Sequence, residues 1–272
     1  MMSVFWLWVA LGFYSLGLLH AIITVVRRQL ALFRVALVAI TLGFLFQFVS
    51  LVELALAEWR FPASTIAEAS SLFAFLITLG FLLAYWRYQV SSLSVFAFPL
   101  VFVMTLAAAV SQRPNPPLSP LLQESWLPLH VFFALAGYAA LILSFLSGVM
   151  YLIQEWELKR KQPHTFFHRL PPLDTLERLG SGSLLVGFPL ITIGLLVGTL
   201  GAASAWGQGW MLDPKVMLSF TLWVIYLLLI YSRVGVGWRG RKAAVSTIVG
   251  MAAILVSWSA NYLSIHHAFF TR

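Results

Sequence analysis

The residues best suited to chemistry sit in one short loop and at three histidines. The loop reads Trp206-Gly207-Gln208-Gly209-Trp210-Met211-Leu212-Asp213-Pro214-Lys215. Indoles present flat, apolar faces to a planar aromatic ligand. Glycines let the backbone approach such a ligand closely. Asp213 followed by Pro214 is a helix-capping pair. Trp in such a loop also serves as an interfacial belt, which is the plain account of the loop on its own and of Trp59 and Trp126. The histidines add weight. His130 lies near the start of one apolar run, and His266 and His267 near the end of another, at the ends shared with the loop. Neutral imidazole is an axial ligand for haem iron, and two complete its six-coordination. Each histidine alone reads as an interfacial polar side chain; three elements converging on one leaflet point to a ligand site.

The elements that must position these residues are long apolar runs. Of the 272 residues, 61% are hydrophobic and 10% charged, against about 25% charged in a soluble domain. Runs near 20 residues match a hydrocarbon core roughly 30 Å thick at 1.5 Å rise per residue. Spans are expected near 4–26, 31–56, 67–87, 93–111, 127–155, 183–203, 214–232 and 244–266. The first is expected to be retained and not cleaved as a signal peptide, because Arg27 and Arg28 follow it instead of a small-residue cleavage site. The chain thus reads as an all-α integral membrane protein, a bundle of about eight transmembrane helices forming one polytopic domain over 1–272.

Charge sets the orientation. Arg27, Arg28, Arg34, Arg87, Lys159, Arg160, Lys161, Arg169, Arg178, Arg233, Arg239, Arg241 and Lys242 fall at one set of span ends. Only Arg60, Arg113, Lys215 and Arg272 fall at the other. The positive-inside rule makes the first set cytoplasmic and both termini outside, as in a multi-pass protein of a bacterial inner membrane. The formal charge of +8 is then a topology signal and not a nucleic-acid footprint. Without cysteine the chain makes no disulfide or thiolate metal site of its own.

Outside the loop and the three histidines, His20 is the other intramembrane histidine, a functional candidate by position and equally a helix-packing hydrogen bond. His164 and His168 fall in the longest inner loop, 155–179, and read as solvated polar residues. Glu53 and Glu68 lie near outer span ends, where a local ion pair with Arg60 is the expected use.

The run Gly187-Phe188-Pro189-Leu190-Ile191-Thr192 through Trp206-Gly207, Trp210 and Asp213-Pro214-Lys215 resembles the tryptophan-rich WWD signature of the CcsA/ResC cytochrome c assembly proteins. The resemblance continues through Trp223, Tyr226 and Gly237-Trp238-Arg239-Gly240-Arg241-Lys242 to Asn261. Upstream, Leu173-Asp174-Thr175-Leu176-Glu177-Arg178 is similar to the family's inner loop, Phe61-Pro62-Ala63-Ser64 with Glu68 to its second outer loop, and His130 with Tyr138-Ala139-Ala140 to the helix bearing its first outer histidine. The likeness covers nearly the whole chain, most densely 127–267, and the length resembles the YpjD- and HemX-type subgroup.

That resemblance implies haem b, held non-covalently at the outer face against Trp206, Trp210 and Asp213, with two histidines on the iron. It implies delivery to apocytochrome c, whose Cys-x-x-Cys-His motif forms the thioether bonds, alongside an assembly partner protein. By position His130 matches the first ligand. His267 is the second, because His267-Ala268-Phe269 is similar to the family's ending; His266 is the alternative, since the spacing from Asn261 is one residue short. The chain departs from the pattern at Leu212, Gly209 and Val216, and at Arg60 and Tyr231, where the family carries histidines. With those two histidines replaced, one haem per chain is expected. A regulatory or scaffold protein that keeps the fold without a complete haem route is the competing reading, and a transporter ranks last for want of charged residues in the spans.

Overall fold

The computed structural model describes residues 2–27, 30–111, 124–159, 170–207 and 210–259. Among the described residues there are eight α-helices and no strand: α1 Met2–Arg27, α2 Leu30–Glu58, α3 Ile66–Tyr88, α4 Leu93–Val110, α5 Leu127–Lys159, α6 Leu173–Ala205, α7 Pro214–Val234 and α8 Arg241–Ser259. A short 3-10 turn, Trp210–Leu212, precedes α7. All eight helices are long and apolar enough to cross a membrane, with mean hydropathy of 1.5 to 2.4 over their best windows. Every expected span appears as a helix.

One boundary differs. The stretch 155–179 reads from sequence as a loop, yet α5 runs on to Lys159 and α6 begins at Leu173. The added first turns of α6 are amphipathic. Leu176 and Leu179 are fully buried on one side, while Asp174 and Arg178 pair at 2.7 Å on the other. Their charges hid the helix from a hydropathy reading.

The helices fall into two compact units. The first comprises Met1–Pro117 and Glu157–Pro172. In it α1 packs on α2 and α4, and α3 on α4 and α2. Buried polar groups in hydrocarbon must find partners, and Tyr14 and Gln47 find theirs. The Tyr14 hydroxyl donates to Gln47 Oε1 at 2.7 Å, and Gln47 Nε2 donates to the Ser71 carbonyl at 3.0 Å. Between α2 and α3 the chain turns at Trp59, which has φ of 52°. Arg60 then forms a two-pronged bridge to Glu68, at 2.6 and 2.7 Å, and also pairs with Glu58. Glu68 accepts from the Ser64 amide at 2.9 Å, and Thr65 caps α3 by accepting from the Glu68 amide at 3.2 Å. The expected ion pair is therefore Arg60 with Glu68. Glu53 stands apart from it, and its Oε2 is buried without a hydrogen bond.

The second unit comprises Leu118–Trp156 and Leu173–Arg272. Its apolar core joins Leu141, Leu184, Ile191, Leu222, Tyr226 and Ile254. Helices α5 and α6 run antiparallel along a seam of glycines. A Cβ at Gly187 would stand 2.9 Å from Leu141, and one at Gly137 2.5 Å from Ile191. A Cβ at Gly194 would stand 3.0 Å from the Ala134 amide nitrogen. Further along, a Cβ at Gly198 would overlap the His130 ring, and one at Gly201 the Trp126 indole. Small residues at such positions allow close backbone approach between membrane helices.

Candidate functional site

His130 lies in the first turn of α5, one turn after Trp126; its amide donates to the Trp126 carbonyl at 3.1 Å. The two rings meet edge to face, with centroids 6.2 Å apart. His130 Nδ1 lies 2.8 Å from the Gly194 carbonyl on α6. A carbonyl only accepts, so Nδ1 carries the proton. The neutral ring then has its lone pair on Nε2, the arrangement in which a histidine ligates a metal while a backbone carbonyl fixes its tautomer. Gly198 makes room for this ring, because any side chain there would displace it.

At the same end of this unit, the loop after α6 folds inward. Trp210 is 9% exposed and packs with Ala202 and Val216, with Trp206 against the cluster. Asp213 is buried and caps α7, its Oδ1 accepting from the Lys215 amide at 2.9 Å. The Lys215 ammonium reaches α8 and donates to the Ser257 carbonyl at 2.9 Å. The sequence pattern expected two open indole faces. The half-buried Trp206 retains surface, whereas Trp210 serves the packing of the turn, as Asp213 serves its capping. His266 and His267 lie outside the described residues, as do His164 and His168.

Several signature residues prove to be core. Phe188 stacks on Trp223 at 5.7 Å, and Trp223 Nε1 donates to Thr192 Oγ1 at 3.0 Å. At the opposite end of the unit, Arg233 donates to Glu177 Oε1 at 3.0 Å and bonds Ser181. Glu177 Oε2 accepts from the Gly240 amide at 3.0 Å. The two short motifs around Glu177 and Gly240 thus meet and pin the α7–α8 turn. Beside this clasp, Ser144, Ser147 and Thr247 help line a cavity of about 30 Å³, room for one water. Tyr231 is 63% exposed and outside it. In the first unit, His20 Nδ1 bonds the Leu16 carbonyl of its own helix at 3.0 Å and does not cross to a neighbour. Among the described residues no group of three or more His, Asp or Glu is placed to hold a metal ion.

The contact of Trp126 with His130, and the three glycines of α6 that face Ala134, His130 and Trp126, were missed from sequence. Their signal was present: Trp126 and His130 are four apart, and Gly194, Gly198 and Gly201 share one helical face. Trp126 is seated on Gly201 against the histidine.

Eight long apolar helices define a multi-pass helical membrane protein. The chain belongs to the cytochrome c assembly protein family, whose model matches residues 1–266. Among curated relatives, the cytochrome c biogenesis protein CcsA of Chlamydomonas reinhardtii is 35% identical over 142 residues, 52% of this chain and 38% of that one. CcsA of Prochlorococcus marinus strain AS9601 is 33% identical over 172 residues, 54% of each chain. CcsA of Mesostigma viride is 29% identical over 162 residues, 52% of this chain and 53% of its own. The matches thus span about half or less of each relative's length.

Proposed function

We propose that this protein takes part in cytochrome c biogenesis by holding haem b at the outer membrane face for delivery to apocytochrome c. The observation that carries the reading is the bond from His130 Nδ1 to the Gly194 carbonyl. It orients an imidazole whose free nitrogen is the one a haem iron takes. A second observation fits: Trp126, in edge contact with this histidine, has a buried indole N–H with no partner. His267, with His266 as alternative, is assigned as the second ligand, and Trp206 as the aromatic face beside it. Trp210 and Asp213 are assigned to the same haem-holding loop, in which Trp210 also packs the turn and Asp213 caps α7. Bound haem supplies the vinyl groups to which a client's thiols add. The thiols come from the client, since this chain has no cysteine.

The test is the absorption spectrum of the purified protein. A sharp reduced α band at one haem per chain is expected. A colourless protein would sink the proposal and favour the scaffold reading; two haems per chain would show a second site that Tyr231 and Arg60 do not provide. Orientation is checked separately. A periplasmic reporter fused after Arg272 should be active, and a reporter active there only in the cytoplasm would reverse the assignment of faces.

A further inference from the structure

We propose that Trp126 is itself a ligand-binding residue, its indole N–H donating to a carboxylate at the edge of the molecule held by His130. The proposal rests on the haem reading above, in which that carboxylate is a propionate.

Three observations point to it. First, the indole Nε1 is buried and has no hydrogen-bond partner. A buried N–H left unpaired costs about 1–3 kcal/mol, and the exceptions that occur in folded proteins call for an explanation such as a missing acceptor. Second, the ring is held in place. It lies against Gly201, where any Cβ would overlap it, and meets the His130 ring edge to face. The same fit of bulk to glycine places Leu141 on Gly187, and here it holds the indole against α6. Third, the nearby cationic donor, Lys215, is already engaged. Lys215 Nζ donates to the Ser257 carbonyl at 2.9 Å and approaches its hydroxyl at 3.4 Å, and the Asp213 carboxylate is an acceptor that caps α7. Trp126 sits one helical turn from His130 with the two rings in edge contact, so a molecule held by the imidazole lies beside the indole. An indole can only donate, which selects an acceptor on the ligand, and a hydrogen bond to an ionised acceptor is about twice as strong as a neutral one.

The experiment compares haem with haem dimethyl ester, whose propionates carry no charge, on the wild type and on Trp126→Phe. Phe keeps an aromatic ring on Gly201 and removes only the donor. Trp126→Phe is expected to weaken haem binding roughly ten- to a hundredfold. It should weaken binding of the dimethyl ester by no more than about threefold, within the net contribution of a neutral hydrogen bond. The unliganded variant should melt within a few degrees of the wild type, which separates lost binding from lost fold. Equal losses with both ligands would make Trp126 a packing residue and overturn the proposal. So would haem binding that Trp126→Phe leaves unchanged while the wild type binds normally, an outcome that spares the haem reading. A wild type that binds neither ligand overturns the haem reading, and this inference with it.

Discussion

His130→Ala is expected to abolish stable haem binding. Second-shell partners of a metal ligand are commonly worth tenfold to a hundredfold in affinity, so losing the ligand itself should cost at least about a hundredfold. The substitution removes an imidazole and its bond to Gly194 and leaves the apolar content of α5 nearly untouched, so the protein should still insert. Free imidazole should partly restore the spectrum by entering the space the ring vacates. His267→Ala should behave in the same way. If His266→Ala alone removes haem, the second ligand moves by one residue and the site stands. Trp59→Ala is the control: that side chain is 89% exposed and its loss should leave the spectrum unchanged. Full haem occupancy in His130→Ala would reject the site.

Glu68→Ala should destabilise the protein by about 3–5 kcal/mol, the usual result of removing one partner of a buried ion pair. The Arg60 side chain is 12% exposed and that of Glu68 8%. The carboxylate holds both prongs of the guanidinium and the Ser64 amide. Its loss leaves the guanidinium with only the more exposed Glu58 as ion-pair partner and loosens the start of α3. The Glu68 hydrogen bonds hold the Arg60 pKa above its ordinary value; without them the guanidinium still stays charged, because arginine does not lose its proton in proteins. Thermal unfolding in detergent should show a clear fall in Tm. The double substitution Arg60→Met with Glu68→Leu should recover much of it, because an apolar pair of similar size removes the unpaired charge. A melt unchanged by Glu68→Ala would mean the bridge behaves as a surface pair.

The positions of the helices were legible because hydropathy and length suffice when the solvent is a bilayer. The start of α6 was not. Its first turns alternate buried Leu with solvated Asp and Arg, the pattern of an amphipathic helix and not of a span. At the site, sequence identified His130 as a candidate but not what orients it, since the orienting group is a backbone carbonyl whose position depends on how α5 and α6 meet. The contacts of Trp126 were not legible for a related reason: a Trp at a span end looks the same in sequence whether or not a glycine on the next helix lies against it. Phe188, Thr192 and Trp223 carry the family signature as strongly as the loop does. Pattern alone does not separate residues that build the core from residues that touch a ligand; the stack and the hydrogen bond between them do.

The seam between α5 and α6 works as a lock with a single setting. Large groups on one helix face gaps on the other: Leu141 faces Gly187, His130 faces Gly198, Trp126 faces Gly201, and Ile191 returns the favour at Gly137. Sliding α5 by one turn, about 5.4 Å, toward the His130 end would carry Leu141 into the level of Ile191, bulk against bulk. Helices that slip past one another need two arrangements of similar energy, and this pair has one. The seam therefore fixes the imidazole against α6, with Gly198 beneath the ring and the Gly194 carbonyl on Nδ1, so a ligand taken there as proposed need supply little free energy to order the ring.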